Sequence, residues 1–212
     1  MSTRTLAVVS AGLSVPSSTR LLADRLTAAT VDALRERGVD ATVEVVELRE
    51  HARDLADNLV TGFANTSLRE ALDTVTGADG LIAVTPIFSA SYSGLFKTFF
   101  DVVDKDALTG KPVLLGATAG TARHSLALDH ALRPLFAYLH AVAVPTGVYA
   151  ATDDFGASSE EGTLDERVAR AGADFARLLS TCGQRVRRSA FDEEAARMER
   201  LLTGRTTDSS AV

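Results

Sequence analysis

The chain of 212 residues has a single cysteine, Cys182, no tryptophan and only five prolines. One thiol excludes a disulfide scaffold and suits a reducing compartment, so a cytoplasmic location is expected. A surplus of positive charge is also missing. Lys+Arg number 22 against 28 Asp+Glu, for a net charge of −6, which argues against nucleic acid as a partner. Long apolar runs are absent as well. The longest uncharged stretch, residues 80–96, is broken by Pro86 and by serines, whereas a membrane span needs about twenty mostly apolar residues. Near the start only Leu6 to Val9 is apolar, too little for a signal peptide. The four histidines have no cysteine or paired-carboxylate spacing around them, so no metal site is expected. What the chain does have is 46% hydrophobic residues, enough to bury a core and to exclude disorder as the dominant state.

Apolar β-branched runs alternate with helical patterns. Strands are expected at residues 5–10, 42–48 (TVEVVEL), 80–85 (GLIAVT), 112–117 (PVLLGA) and 143–149, each short and bounded by turn residues. Helical spacing places Leu22, Leu26, Ala29 and Ala33 on one face, with Gly38 closing that helix. Two helix-prone segments follow at 49–59 and 67–75, joined near Gly62. Further helices are expected at 91–104, at 125–140 with an interruption or kink at Pro134, and around Leu164, Val168, Ala171, Phe175 and Leu178. Such alternation predicts an α/β fold of right-handed crossovers with helices on both faces. The expected architecture is a flavodoxin-like, doubly wound, five-stranded parallel sheet of order 2-1-3-4-5. Residues 1–182 are expected to form this domain. Residues 183–212 are expected to be an extension, with a short amphipathic helix (Phe191, Ala195, Met198, Leu202) and a disordered tail.

In such sheets ligands bind beyond the carboxyl ends of the strands. Three loops rich in small and hydroxyl residues converge there: 10–20, 86–91 and 118–124. The first carries Ser10, Ser14, Ser17, Ser18 and Thr19, with no carboxylate before Arg20. Two readings fit these hydroxyls. They cap the following helix, or they bind a phosphate together with its free N–H groups and macrodipole. No Walker loop, Gly-x-Gly-x-x-Gly or Gly-x-Ser-x-Gly motif is present to compete. No side chain in the three loops stands out as a general acid or base, so no catalytic residue is assigned. His124 is open to two roles, a contact with a bound ring or a helix cap. Lys97 and Asp101 have the spacing of a surface ion pair, and the run 185–188 (RVRR) reads as a solvated face.

The segment 85–101, TPIFSASYSGLFKTFFD, resembles the flavin loop of NADPH-dependent FMN reductases, and most closely those serving two-component alkanesulfonate-type monooxygenases. The stretch 117–134, ATAGTARHSLALDHALRP, is similar to the same subgroup. The resemblance implies that loop 1 holds the FMN phosphate through Ser10, Ser17, Ser18 and Thr19. It further implies that Pro86, Ile87, Phe88 and Ser89 run along the isoalloxazine and ribityl chain, and that Thr118, Ala119, Gly120 and Thr121 approach the other ring edge. Relatives often carry an arginine in loop 1, for which Arg20 is a candidate substitute. Tyr92 matches a tyrosine that bulges the following helix at a subunit interface in that subgroup; the plain alternative is an aromatic packed at an ordinary dimer contact.

The activity so implied is hydride transfer from NADPH or NADH to FMN, with reduced FMN passing to a flavin-dependent monooxygenase and the enzyme a homodimer or homotetramer. Two alternatives remain at the level of sequence. One is a quinone or azo reductase that keeps its FMN. The other is a flavodoxin-like electron carrier without a nicotinamide site.

Overall fold

The computed structural model describes residues 3–156 and 163–182. In chain order it contains β1 (Thr3–Ser10), α1 (Ser18–Arg35), β2 (Asp40–Glu47), α2 (Ala52–Thr61), α3 (Thr66–Gly77), β3 (Gly80–Phe88), β4 (Ser91–Tyr92) and α4 (Gly94–Val102). These are followed by β5 (Pro112–Ala119), α5 (Arg133–Tyr138), β6 (Val142–Ala143), β7 (Val148–Ala151) and α6 (Leu164–Thr181). The expected helix and tail in 183–212, and the 185–188 run, lie outside the described residues.

The sheet runs β2-β1-β3-β5, and its fifth position is filled by β6 and β7, both pairing with β5. All of these pairings are parallel, so the expected flavodoxin-like order holds. The fifth strand, expected unbroken over 143–149, is instead split. Between the pairs Val113↔Ala143 and Gly116↔Val148, three residues advance on β5 while five advance opposite. Pro145 lies in that surplus; it has no N–H for the ladder and sends the chain outward.

Side-chain alternation in the central strands fills two cores. Ala7, Val9, Leu81, Ala83, Val113 and Leu115 face the side covered by α2 to α5. Leu6, Val8, Ile82, Val84 and Leu114 face α1 and α6. Both sets are almost fully buried, which explains why the strands read as continuous apolar runs. On the first side Phe96, Phe100 and Phe136 form a tilted aromatic cluster, with centroids 4.7 Å and 4.9 Å apart for the two closer pairs. On the second, α1 and α6 approach so closely at Gly172 that a Cβ there would stand 2.8 Å from the Ala29 carbonyl carbon. Lys111, wholly buried at the start of β5, donates to the carbonyls of Thr76 and Ala78 and ties off the end of α3.

Two local departures from the expected elements bear on the loops. Residues 91–92 are not helical: Ile87↔Tyr92 and Phe88↔Ser91 pair as an antiparallel hairpin, and α4 starts at Gly94 with Ser93 as its cap, accepting from Phe96 N at 3.2 Å. The expected helix at 125–140 is a short 3-10 turn at Ala122–His124, a π turn at Leu128–Leu132 and then α5. In the π turn Arg133 N–H bonds the Leu128 carbonyl. Widening the helix there accommodates Pro134, which has no N–H to give to the preceding turn.

Candidate flavin site

The strand register brings the three hydroxyl-rich loops together at one end of the sheet. Ser10 ends β1 opposite Val84, Ala11 N–H continues the ladder to Val84 O at 3.0 Å, and Pro86 lies opposite Thr118. Loop 1 then folds back on α1. A Cβ at Gly12 would meet Ser17 Oγ at 2.0 Å and Thr19 Cβ at 3.2 Å, so only glycine allows the loop to wrap the helix start this closely.

The start of α1 combines spare donors with a first turn that has no acidic side chain, and the nearby Glu47, opposite Ser10 in the register, is engaged by Arg20. Ser17 is its N-cap and accepts from Arg20 N at 3.2 Å, leaving its own O–H free to donate. Ser18, exposed, and Thr19 stand in the first turn, where a helix has no internal partner for its N–H groups. The Thr19 side chain is turned inward; its hydroxyl lies 2.8 Å from that of Thr118, both buried, and locks loop 1 to the third loop. Ser10 Oγ is buried and makes no hydrogen bond among the described residues. An unpartnered hydroxyl of this kind costs about 1–3 kcal/mol, and Ser10 is the residue at which loop 1 leaves β1. These residues therefore fit an FMN phosphate. Arg20 is committed elsewhere: Nε lies 2.8 Å from Asp24 Oδ1 and the guanidinium also pairs with Glu47. These carboxylates, Asp24 first, raise its pKa further above the ordinary arginine value.

The second loop is a two-residue hairpin turn. Ser89 and Ala90 have φ of 49° and 68°, the left-handed pair that such a turn requires and that glycine or asparagine usually supplies. The turn leaves Pro86 and Ile87 buried and presents Phe88, 49% exposed, at the rim. Across from it, Ala119 is half-buried while Gly120 and Thr121 are exposed. Tyr149 in β7 donates its hydroxyl to Thr121 O at 2.5 Å and pins this third loop; burial pushes its pKa above the usual tyrosine value. A chain without tryptophan thus offers Phe88 as the exposed aromatic at the site.

Residues 4–156 match the sequence family described as NADPH-dependent FMN reductase. The chain belongs to that family. It is 42% identical over 147 residues to an FMN reductase (NADPH) of Pseudomonas aeruginosa, covering 69% of this chain and 76% of that one. To the NADH-dependent FMN reductase SfnF of Pseudomonas putida it is 40% identical over 148 residues, covering 70% and 77%. Among solved structures, an oxidoreductase from Corynebacterium diphtheriae superposes with a TM-score of 0.82 at 49% identity, over 86% of this chain and all of that one. The protein is accordingly an oxidoreductase of the FMN reductase family.

Within this FMN reductase fold, the expected helix bulge at Tyr92 is not found. Tyr92 lies in β4, ahead of a regular α4, and the π turn falls further along the chain, around His130. Sequence reasoning also passed over a cleft of about 350 Å³ beside the third loop, lined by Ala90, Ser91, Arg123, His124, Leu126 and His130 among others. Its one sequence signal was the basic pair Arg123-His124 at the end of the third loop, of which sequence reasoning weighs His124 alone. No helix among the described residues is long and apolar enough to cross a membrane.

Proposed function

We propose that this protein reduces FMN with NADPH or NADH and releases the reduced flavin to a separate flavin-dependent monooxygenase. The observation that carries the reading is the unpartnered Ser10 hydroxyl at the end of β1, ahead of a helix with no acidic residue in its first turn, in a chain of the FMN reductase family. The relatives named for NADPH-dependent and for NADH-dependent FMN reduction support the reaction class. FMN, when bound, supplies the hydride acceptor at its N5. The chain's own residues bind and orient. Ser10, Ser17 and the first-turn N–H groups of Ser18 and Thr19 hold the phosphate, with the helix dipole favouring its charge. Thr19 and Thr118 keep loops 1 and 3 at a fixed distance. Pro86, Ile87 and Phe88 border the ring on one side, and Ala119, Gly120 and Thr121 on the other. Hydride transfer asks for orientation at close range and little proton handling, in keeping with a set of hydroxyls and amides free of an acid–base pair. Transfer to a monooxygenase is supported by a site with an open rim and no tryptophan to clamp the ring. A homodimer or homotetramer is the assembly proposed, and residues 183–212 are proposed as an extension to the domain.

Steady-state NADPH and NADH oxidation by flavin-free protein, with FMN titrated in, tests the reading. Turnover that saturates with FMN well above enzyme concentration is expected. Activity that is complete at one FMN per subunit and then needs a quinone would instead identify a reductase that retains its flavin. No oxidation of either nucleotide would leave an electron carrier.

A further inference from the structure

The cleft beside the third loop is lined without acid, in a chain that is acidic overall. Arg123, His124 and His130 line it, and no carboxylate is among its lining residues. Asp129, next to His130, is already held by Arg133 Nε at 2.7 Å. The Arg123 guanidinium makes no ion pair or hydrogen bond among the described residues, whereas Arg20, Arg133 and Arg167 are each tied to a carboxylate. Its backbone is fixed all the same: Thr121 Oγ1 caps the turn by accepting from Arg123 N at 3.3 Å, and Tyr149 holds Thr121 O from below. A permanently charged, unpaired fork on an anchored turn, facing an acid-free cleft of this volume, is suited to an oxyanion.

Position narrows which oxyanion. The cleft adjoins Ala90 and Ser91 of the second loop on one side and Arg123 of the third on the other. On the reductase reading these are the two loops that border the flavin ring. A dinucleotide whose nicotinamide lies on the ring must carry its phosphates outward past one of these rims. We propose that the cleft receives a phosphate group of the nicotinamide dinucleotide, with Arg123 as the principal contact and His124 and His130 flanking it. The inference rests on the reductase reading. The pyrophosphate, common to both nucleotides, and the 2′-phosphate, present only in NADPH, share this chemistry.

The test uses ADP-ribose and 2′-phospho-ADP-ribose, which carry these phosphates without a redox ring. Each is titrated calorimetrically into the full-length, FMN-loaded protein. Arg123→Ala is expected to weaken binding about ten- to a hundredfold, the range for losing a charge-assisted contact. Arg123→Lys should recover part of that loss, and Arg35→Ala, at the far end of α1, should match wild type. Weakening of both fragments assigns the pyrophosphate to the cleft; weakening of the 2′-phosphorylated fragment alone assigns the 2′-phosphate. In turnover the same loss is read as a rise in KM for the corresponding nucleotide. Equal affinity of Arg123→Ala and wild type for both fragments overturns the proposal, as does a fall in FMN affinity with the fragments bound as before. Arg123-dependent binding by a wild-type protein that oxidises neither nucleotide would uphold the phosphate site and refute the reductase reading. Turnover with KM indifferent to Arg123 would do the reverse.

Discussion

Ser10 shows how one side chain separates the demands of folding from those of binding. Its hydroxyl is buried at the end of β1 and makes no hydrogen bond among the described residues, so the protein without flavin bears the desolvation penalty with no return. Ser10→Ala removes the hydroxyl and leaves a methyl group suited to the site. The expected result is a thermal transition of the flavin-free protein equal to or above that of wild type, since replacing an unpaired polar atom by an apolar one is neutral or stabilising. FMN affinity should fall about tenfold, corresponding to about 1.4 kcal/mol for one lost hydrogen bond to a charged group. Unfolding scans with and without FMN measure both. A drop in the flavin-free transition with unchanged FMN affinity would assign Ser10 to the fold instead. The neighbouring Thr19 differs in kind. Its hydroxyl already has Thr118 as a partner at 2.8 Å, so its contribution is to hold two loops together.

At the scale of elements, tight approaches decide what the sequence can vary. Gly172 in α6 faces the backbone of α1, where an added Cβ would lie 2.8 Å from Ala29 C and 2.9 Å from Thr30 N. Backbone atoms cannot rotate away, so Gly172→Ala must push the helices apart. An expected loss of about 1–3 kcal/mol follows from overpacking, lowering the melting temperature by about 2–4 °C per kcal/mol in a chain of this size. Thermal unfolding followed by circular dichroism measures it; a transition at the wild-type temperature would mean that α1 and α6 have slack. Elements were also the scale at which sequence was most and least legible. Strands β1, β3 and β5 announced themselves because burial on both faces demands unbroken apolar runs, and α1 did so through Leu22, Leu26, Ala33 and Gly38. The hairpin at Ser89-Ala90 was hidden because its left-handed turn carries neither asparagine nor glycine. The split fifth strand was foreshadowed only by Pro145. The three loops could be grouped from strand order alone, yet the Thr19–Thr118 link and the engagement of Arg20 by Asp24 and Glu47 depend on side-chain directions that no spacing encodes.

For the whole molecule, the arrangement of the two cores sets where the chain can be cut. The second core takes Leu164, Val168, Ala171, Phe175, Ala176 and Leu179 from α6, and among the described residues none of either core lies beyond Leu179. The last tie among the described residues is the Arg4 guanidinium, which donates to the Cys182 carbonyl at 2.5 Å beside its partner Asp79. A chain ended after Cys182 keeps all of these contacts and every described residue of both cores. Such a chain should unfold in one cooperative transition within a few degrees of the full-length protein and should retain FMN-dependent NAD(P)H oxidation. A chain ended after Gly156 loses α6 altogether. Large apolar side chains removed from a core cost about 2–5 kcal/mol each, so several together exceed the roughly 5–15 kcal/mol that holds a domain folded, and no cooperative transition should remain. Calorimetric scans of the two truncations beside the full chain decide the matter. Loss of cooperativity already at the Cys182 cut would make residues 183–212 part of the folding unit, in place of an extension to it.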